Sequence, residues 1–336
     1  MYKKRSKYLF HSSSHGSTMQ KMSHKLTEEL KRLVHENHDN CVKCGYEFID
    51  GDTSHSGYDE NEDPQYVCDD CALILKETAV RFVFSTRPYE TPQSDSYLWR
   101  YMDFTKYVSL LSTSALYFAR ADTFEDPFEG AKGIIENKEK WDEHYLDFFR
   151  GMMRNPPEGI QWDQSEEHVE KEAQRLLKEM EAGGHSHRER VYISCWHENE
   201  HESEAMWRLY SSFLDNAIAI KTTYSSLYKA LDKNPSVSIG KVQYIDFSKS
   251  YTGPNDSFWR KRKSFEHEKE VRAIIHDHRC GESGKLMSCD LNTLVEEVIV
   301  SPTAPPWFLN VLNDVNGKFG LNVTVSQSKL NEVPFF

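Results

Sequence analysis

The sequence contains no long apolar run and no excess of positive charge. Its 336 residues include 53 Asp and Glu against 41 Lys and Arg, which gives a formal net charge of -12. No stretch approaches the roughly 20 consecutive apolar residues that a membrane-spanning helix needs. The composition therefore argues against a membrane protein of this kind and against capture of nucleic acid by overall charge.

The N-terminus also lacks the apolar centre of a secretory signal. Residues 1–22 are basic at first and then rich in serine and histidine, and we interpret them as a flexible basic tail. The chain has seven cysteines, and this odd number fits a reducing compartment better than a disulfide framework. We therefore expect a cytoplasmic protein.

Four of the cysteines form two close pairs, each with two residues between its members. They are Cys41, Cys44, Cys68 and Cys71. Four thiolates within tetrahedral reach suit a structural Zn(II) ion and leave no open position for catalysis. The spacing therefore predicts a four-cysteine zinc module over residues 23–77, with an amphipathic helix ahead of the first cysteine.

From residue 78 onward, short β-like runs alternate with helical patterns. Runs such as SYLWRYM, RVYISCW and EVRAIIH have the length and the β-branched and aromatic content of strands. Residues 103–114 and 203–214 have helical periodicity, and the charged block 133–189 resembles a helical insertion. The sequence thus predicts an α+β domain over residues 78–336, with mixed, largely antiparallel sheets of short strands.

The stretch YISCWHENEHESEAMWRLY places reactive side chains where a strand ends and a helix begins. A nucleophilic pair of Cys195 and His197 would lack an orienting group. His197 with Glu200 and Glu202 fits either a metal site or a solvated acidic turn ahead of the helix. The predicted helix should bury a stripe of four side chains, namely Met206, Leu209, Tyr210 and Phe213.

A second charged stretch, FWRKRKSFEHEKEVRAIIH, leads into an apolar run. If it is a strand, one face carries Glu266, Glu268, Glu270 and Arg272. Such a face either forms a salt-bridged edge or lines a cleft, because like charges two residues apart repel unless cations compensate them. The cations nearest in sequence are Lys261, Arg262 and Lys263.

Residues 97–336 resemble a bacterial family catalogued as domain of unknown function 2971. The similarity lies in LWRYM, FARADTFEDPFEG, ISCWHENEHESEAMWRLYSS, KSFEHEKEVRAII and a final pair of segments, VEEVIVSP and VTVSQSKL. Residues 133–189 would then be an insertion into the family domain, and the zinc module would lie outside it. The family description implies no activity.

A more distant similarity is to ADP-ribosyltransferases of the Arg-Ser-Glu type. These carry an arginine on a first strand, a serine on a later strand and Glu-x-Glu on another, and Arg100, Ser194 and Glu268-Lys269-Glu270 occur here in that order. The usual Ser-Thr-Ser run is Ser-Cys-Trp in this chain. The similarity implies an NAD-consuming effector, of the toxin or phage-defence kind, that modifies a protein or a nucleic acid.

This similarity also implies roles for the matching residues. Glu270 would hold a ribose hydroxyl and stabilise the oxocarbenium-like cation that develops as the nicotinamide–ribose bond breaks. Glu268 would orient or deprotonate the acceptor, and Ser194 would brace the site by hydrogen bonds. The implied contacts of NAD are a phosphate held by Arg100 and a nicotinamide ring stacked on Tyr101 or Trp196.

Two other hypotheses stay open. A nucleic-acid-binding or nucleic-acid-processing protein would join the tail lysines with Arg262 and Lys263 in a continuous positive stripe. In a non-catalytic interaction module, Arg100 would instead be held in a buried ion pair, with no cleft beside it. The enzyme hypothesis requires instead that Arg100, Ser194 and Glu270 meet at one cleft.

Overall fold

The computed structural model describes residues 41, 44–47, 54–58, 64–68, 70–71, 85–86, 89–155, 162–211, 214–232, 234, 237–277 and 281–336. The predicted tail over residues 1–22 and the helix predicted ahead of the cysteines lie outside these ranges. None of the helices described is both long enough and apolar enough to cross a membrane.

Short strands and helices alternate along the described chain. The strands are β1 (Ser54–Tyr58), β2 (Pro64–Cys68), β3 (Ser85–Thr86), β4 (Tyr97–Asp103), β5 (Ala115–Arg120), β6 (Val191–Glu198), β7 (Ala217–Thr223), β8 (Val237–Lys241), β9 (Gln243–Ile245), β10 (Arg260–Arg262), β11 (Glu270–His276), β12 (Gly284–Ser288), β13 (Glu297–Val300) and β14 (Thr324–Gln327). The helices are α1 (Phe104–Thr113), α2 (Lys138–Arg154), α3 (Glu166–Arg188), α4 (Glu204–Tyr210), α5 (Tyr224–Ala230), α6 (Leu291–Leu294) and α7 (Pro306–Lys318).

The chain divides into two compact units. The first comprises residues 1–90, 126–189 and 245–260, and the second comprises residues 91–125, 190–244 and 261–336. Within the first unit, β1 pairs with β2 and β3 in a small antiparallel sheet. Helices α2 and α3, which fall in the block predicted as an insertion, bury a cluster of Trp141, Phe149, Met152, Ala173 and Leu177.

The second unit is built on one large sheet. Its strand order is β12-β5-β6-β4-β7-β13-β14, with β11 and β8 joined at the other edge of β6. The pair β13–β14 is parallel, and the other strand pairs described in this sheet are antiparallel. The predicted α+β class with a largely antiparallel sheet is therefore confirmed.

Both faces of this sheet are covered. Because side chains alternate along a strand, Leu98 and Met102 of β4 join the large cluster that α1, α5 and α7 complete. Trp99 and Tyr101 join a second cluster, on the opposite face, with Trp207 of α4. Strands β6 and β11 are consequently buried along nearly their whole length.

The helix predicted over residues 203–214 is shorter, and its buried face differs from the prediction. Ser203 caps α4 by accepting a hydrogen bond from the backbone of Met206, and the helix ends at Tyr210. Met206 and Trp207 are buried, whereas Leu209 is 57% exposed. Of the predicted stripe, Met206 is therefore confirmed, whereas Leu209 and Tyr210, which is 42% exposed, are not, because the short helix turns the indole of Trp207 inwards instead. Phe213 lies outside the described residues.

Candidate active site

The large sheet splits along one edge of β6. Strand β11 pairs with β6 from residue 191 to residue 197 and so occupies one edge completely. On the other edge, β5 pairs with residues 192 and 193, and β4 pairs with residues 197 and 198. Residues 194–196 thus have no strand partner on that edge within the described chain. Strands β4 and β5 diverge there and leave a cleft.

A cavity of about 520 Å³ lies at this split, entirely within the second unit. That volume is in the usual range for small-molecule sites, which run from roughly 300 to 1,000 Å³. Residues of β4, α1, β5, β6 and α4, together with those around the start of β11, form its walls. The lining residues that bear on chemistry are Arg100, Tyr117, Cys195, His197, Glu268 and Glu270.

Arg100 holds a positive charge in the cleft with neutral partners. Its Nη1 donates to Ser194 Oγ at 2.7 Å and its Nη2 donates to the carbonyl oxygen of Tyr117 at 3.2 Å. The guanidinium lies 5.5 Å from the centre of the Trp196 ring. Burial lowers the pKa of Arg100, and the described residues include no carboxylate in an ion pair with it. An anionic ligand can therefore find an uncompensated cation here.

This environment of Arg100 bears directly on the interaction-module hypothesis. That hypothesis requires a buried ion pair and no cleft, whereas the described structure has hydrogen bonds to a hydroxyl and a carbonyl beside a cavity. Ser194 is 1% exposed and reaches the cavity through Arg100 rather than as a wall residue. Ser194 thus makes a hydrogen bond to Arg100, and its role in bracing a catalytic site stays a prediction.

The acidic stretch does not form the single strand face that the alternation predicted. Residues 263–268 form a 3-10 helix, and Lys269 follows in the left-handed region with φ of 40°. Strand β11 begins only at Glu270. This turn, rather than strand alternation, brings Glu268 and Glu270 to the same cavity, and Glu266 is left exposed. A left-handed lysine could not be foreseen from the pattern, because such a conformation is uncommon outside glycine.

Glu270 is held in a buried ionic cluster. Arg272, which is fully buried, donates from Nε and Nη2 to the two carboxylate oxygens at 2.8 and 3.1 Å. Lys261 contacts Glu268 and lies 3.2 Å from Glu270. Burial alone would raise the pKa of Glu270, but the charges of Arg272 and then Lys261 outweigh it and lower the pKa to about 2. Glu270 is therefore ionised at neutral pH.

Of the three cations expected to compensate the acids, Lys261 contacts both Glu268 and Glu270. The Arg262 guanidinium lies 5.1 Å from the Phe265 ring, and Lys263 is exposed. The strongest partner is Arg272, two residues beyond Glu270 on β11. The positive stripe that nucleic-acid binding requires stays an untested prediction, because the tail lysines lie outside the described residues.

Glu268 and Tyr210 form a second polar pair on the same wall. Glu268 is 8% exposed, and the hydroxyl of Tyr210 is close enough to interact with its carboxylate. Burial of that hydroxyl, followed by the charges of Glu268 and Glu270, raises the pKa of Tyr210 well above its usual value. The phenol is thus a neutral donor beside a carboxylate.

Cys195 borders both charged groups of the cleft. Its thiol is hydrogen-bonded to Glu270 and helps to lower the pKa of that carboxyl, and it is also close enough to Arg100 to interact with the guanidinium charge. The guanidinium, which bonds to Ser194, and the carboxylate therefore both interact electrostatically with Cys195. Arg100, Ser194 and Glu270, which are far apart in the sequence, are brought together around this cavity.

The two predicted stacking residues are both wall residues with little exposed area. Tyr101 is 6% exposed, accepts a hydrogen bond from the backbone of Ser203 at 2.8 Å and packs edge-on against Trp207. Trp196 is 2% exposed beneath Arg100. Their contact with nicotinamide stays a prediction, because each ring is already packed against protein.

Tyr117 offers a more open ring that the sequence analysis did not single out. It lines the cavity and is 47% exposed, and its hydroxyl donates to the carbonyl oxygen of Ser283 at 3.4 Å. A Cβ at Gly284 would stand 2.0 Å from that hydroxyl. A glycine inside a strand often marks the close approach of another group. Gly284 within β12 was therefore the feature of the sequence that could have indicated the position of Tyr117.

The alternative metal site with His197, Glu200 and Glu202 is not formed. Glu202 accepts hydrogen bonds from Trp207 Nε1, Ser328 Oγ and the backbone of Lys329. His197 bonds to a backbone carbonyl. Over the described ranges, the one group of side chains suited to a metal ion is the predicted cysteine set.

In the first unit, the four predicted cysteines form a cluster. Cys41, Cys44, Cys68 and Cys71 place their sulfur atoms within 4.8 Å of one another, and the Cys44–Cys68 distance is 3.7 Å. Zn–S bonds of about 2.3 Å imply sulfur–sulfur distances of about 3.8 Å in a tetrahedron, so the donor set fits zinc. Burial and then the neighbouring thiols raise the pKa of Cys71, and a bound cation reverses that penalty.

Comparisons with known proteins add little to this geometry. No protein-family model matches the chain, and no curated protein matches it, so the resemblance to domain of unknown function 2971 stays a prediction. Among solved structures, Thermus sp. 2.9 DarT in complex with NAD+ is similar over 72% of this chain and 100% of that chain, with 8% sequence identity and a TM-score of 0.32. Neither the identity nor the TM-score is high enough to assign a function to this chain.

Proposed function

We propose that the protein is an NAD-consuming ADP-ribosyltransferase-like enzyme whose site is the cleft between β4 and β5. One observation carries this proposal. Arg100, bonded to Ser194, and the ionised carboxylate of Glu270 lie around one cavity, with Cys195 bordering both. The cleft therefore offers a cation for a phosphate and a carboxylate for a sugar hydroxyl, which are the two contacts that NAD needs.

Arg100 binds a phosphate of NAD. Its guanidinium is already oriented by Ser194 and by the Tyr117 carbonyl, so little conformational entropy is lost when an anion arrives. The planar group suits phosphate oxygens, and the surrounding apolar residues strengthen the attraction by excluding water. Tyr117, with its partly exposed ring, provides a flat surface in the same cavity.

Glu270 stabilises the positive charge that develops on the ribose. As the bond between the ribose carbon and nicotinamide breaks, its electron pair leaves with the pyridine ring and the sugar becomes cation-like. Glu270 accepts a hydrogen bond from a ribose hydroxyl and supplies negative charge nearby. Arg272 and Lys261 keep it ionised and fixed, which makes this charge available before substrate binds.

Glu268 then serves the acceptor, which is a side chain of a protein or a group of a nucleic acid. The acceptor oxygen or nitrogen attacks the ribose carbon and its proton passes to the Glu268 carboxylate. Lys261 and Tyr210 hold that carboxylate in place. We further propose that the enzyme is an effector of the toxin or phage-defence kind, as the resemblance to Arg-Ser-Glu enzymes implies.

The test is the Glu270→Gln variant in an assay of nicotinamide release from NAD. We expect release to fall to background, while Glu266→Gln, an exposed control on the same turn, keeps the wild-type rate. Since a glutamine leaves Arg272 without its charged partner, Glu270→Asp provides a second variant that keeps the charge and withdraws the carboxylate. Wild-type turnover in both Glu270 variants would refute the proposal.

For the first unit, we propose a structural Zn(II) ion held by Cys41, Cys44, Cys68 and Cys71. The support is the closed set of four sulfur atoms at tetrahedral spacing. Elemental analysis of protein purified without added metal should find about one zinc per chain, and Cys71→Ser should lose most of it. Cys289→Ser, at a buried cysteine of the second unit, is the matched control. Equal zinc content in all three proteins would contradict this assignment.

A further inference from the structure

His197 carries a hydrogen-bond acceptor that no described residue satisfies. Its Nδ1 lies 2.5 Å from the carbonyl oxygen of Glu268, and because a carbonyl can only accept, Nδ1 carries the proton. Burial, together with the nearby Lys269 and His267, lowers the pKa of His197, so the ring is neutral. Its Nε2 therefore presents a lone pair, and this buried atom has no hydrogen-bond partner in the described structure.

An unsatisfied buried acceptor is costly and is uncommon in native proteins. His197 is 6% exposed and lines the cleft cavity, so a ligand is the natural source of a donor. Its strand position supports this, since His197 stands directly opposite Glu270 in the β6–β11 register. In-register neighbours lie on the same face of a sheet.

The cavity therefore holds groups of both hydrogen-bonding types. The Arg100 guanidinium supplies donors, and the acceptors are the Glu270 carboxylate and Nε2 of His197, both on residues of the cavity wall. A complementary ligand has an anionic group at one end and hydrogen-bond donors at the other. A nucleotide sugar satisfies both requirements, because its phosphates are anionic and its sugar hydroxyls donate.

We propose that His197 binds the ligand of the cleft by accepting, at Nε2, a hydrogen bond from a hydroxyl or an amide N–H group. This inference rests on the proposed function, under which the donor is a hydroxyl of the ribose next to nicotinamide or the carboxamide of nicotinamide itself. His197 is then a binding residue that selects for a donor-bearing group beside Glu270.

Two substitutions separate this role from a structural one. In His197→Asn the amide nitrogen takes the place of Nδ1 and keeps the bond to the Glu268 carbonyl, but nothing reaches the position of Nε2. In His197→Gln the side-chain carbonyl reaches the position of Nε2, while the bond to Glu268 is lost. His201→Asn, on the exposed loop after β6, makes the same chemical change away from the cavity.

Binding is measured calorimetrically with two probes that are not consumed. ADP-ribose offers sugar hydroxyls alone, and carba-NAD, whose ribose ring oxygen is replaced by a methylene group, offers both hydroxyls and a carboxamide. We expect His197→Asn to bind about tenfold more weakly and His197→Gln to stay within about threefold of wild type. A loss with both probes identifies a hydroxyl as the donor, and a loss with carba-NAD alone identifies the carboxamide.

The remaining outcomes decide between the His197 contact and the proposed function. If a folded His197→Asn binds as tightly as wild type, or if both variants are equally weakened, His197 does not accept a bond from the ligand. Nicotinamide release by the wild-type protein tests the proposed function separately. If the protein binds the probes but releases no nicotinamide, the proposed function is overturned and the His197 contact is not. If the wild-type protein binds neither probe, both proposals are overturned.

Discussion

Replacing Arg272 with methionine tests the ionic cluster on which the proposed chemistry depends. Methionine fills much of the volume of arginine and leaves the fully buried position apolar. The change removes two hydrogen bonds and one positive charge from Glu270, and Lys261 is then its remaining charged partner among the described residues. A carboxylate with 4% exposure is then held inside the protein without the cation that lowers its pKa most.

The magnitude follows from the pKa of Glu270. The cluster lowers that pKa from 4.5 to about 2, and at about 1.4 kcal/mol per pH unit this corresponds to about 3 kcal/mol of stability. Breaking a buried pair from one side costs a similar amount, about 3–5 kcal/mol. Because the pKa is depressed in the folded state, this stability is fully present above pH 4.5 and is lost as the pH falls towards 2.

The free energy of unfolding is obtained from urea titrations followed by tryptophan fluorescence, at neutral pH and at about pH 4. We expect Arg272→Met to be about 3 kcal/mol less stable than wild type at neutral pH. The deficit should shrink at the lower pH, where the variant's Glu270 takes up a proton. Arg208→Met, which breaks an exposed pair with Glu204, should cost less than about 1 kcal/mol at either pH. A deficit below that level, or one that does not change with pH, would refute the reasoning.

Three further predictions concern the walls of the cleft and the C-terminal segment. Gly284→Ala should displace the Tyr117 ring and weaken ADP-ribose binding severalfold. In the control Gly317→Ala, the added Cβ meets no atom within 4 Å, and binding should be unchanged. Equal affinities of the two variants for ADP-ribose would exclude Tyr117 from the site. Ser194→Ala should reduce affinity for ADP-ribose by about fivefold through the loss of one hydrogen bond, and an unchanged affinity would show that the serine does not orient the guanidinium. Glu202→Gln weakens three hydrogen bonds, which reach the indole of Trp207 in α4 and the segment after β14. The variant should therefore be about 1–2 kcal/mol less stable than wild type and should be cleaved faster near the C-terminus by a protease. A wild-type stability and a wild-type cleavage rate would contradict this prediction.

Features that depend on residues close in sequence could be predicted well. The run SYLWRYM corresponds to β4, RVYISCW to β6 and EVRAIIH to β11, with boundaries that differ by at most a few residues. The cysteine cluster was predictable because metal-binding pairs have a fixed short spacing. In each case the information is local, since strand propensity and ligand spacing are read from a few neighbouring residues.

Features that depend on strand pairing could not be predicted from these patterns. The cleft exists because β4 and β5 meet the same edge of β6 at its two ends, and nothing within any one strand specifies its neighbours. The acids near β11 illustrate a second limit. Alternation assigned Glu268 and Glu270 to one strand face, but a single left-handed residue between them replaces the strand by a turn. The two side chains still reach the same cavity, but they do so because of this turn and not because of strand alternation.

The bare edge of β6 explains how neighbouring residues serve one site although they point in opposite directions. Ser194 and Cys195 project to alternate faces of the sheet, and in a fully paired strand those faces would be separated by the strands on both sides. Because residues 194–196 have no described strand partner on the edge where β4 and β5 pair, the cavity extends past that edge, so that Arg100 approaches from the face of Ser194 and Glu270 from that of Cys195. The two charges also have different partners: Glu270 is paired with Arg272 and Lys261, while Arg100 bonds to neutral groups. A buried guanidinium without an acidic partner costs stability, and under the proposed function an anionic, hydroxyl-bearing substrate offsets that cost.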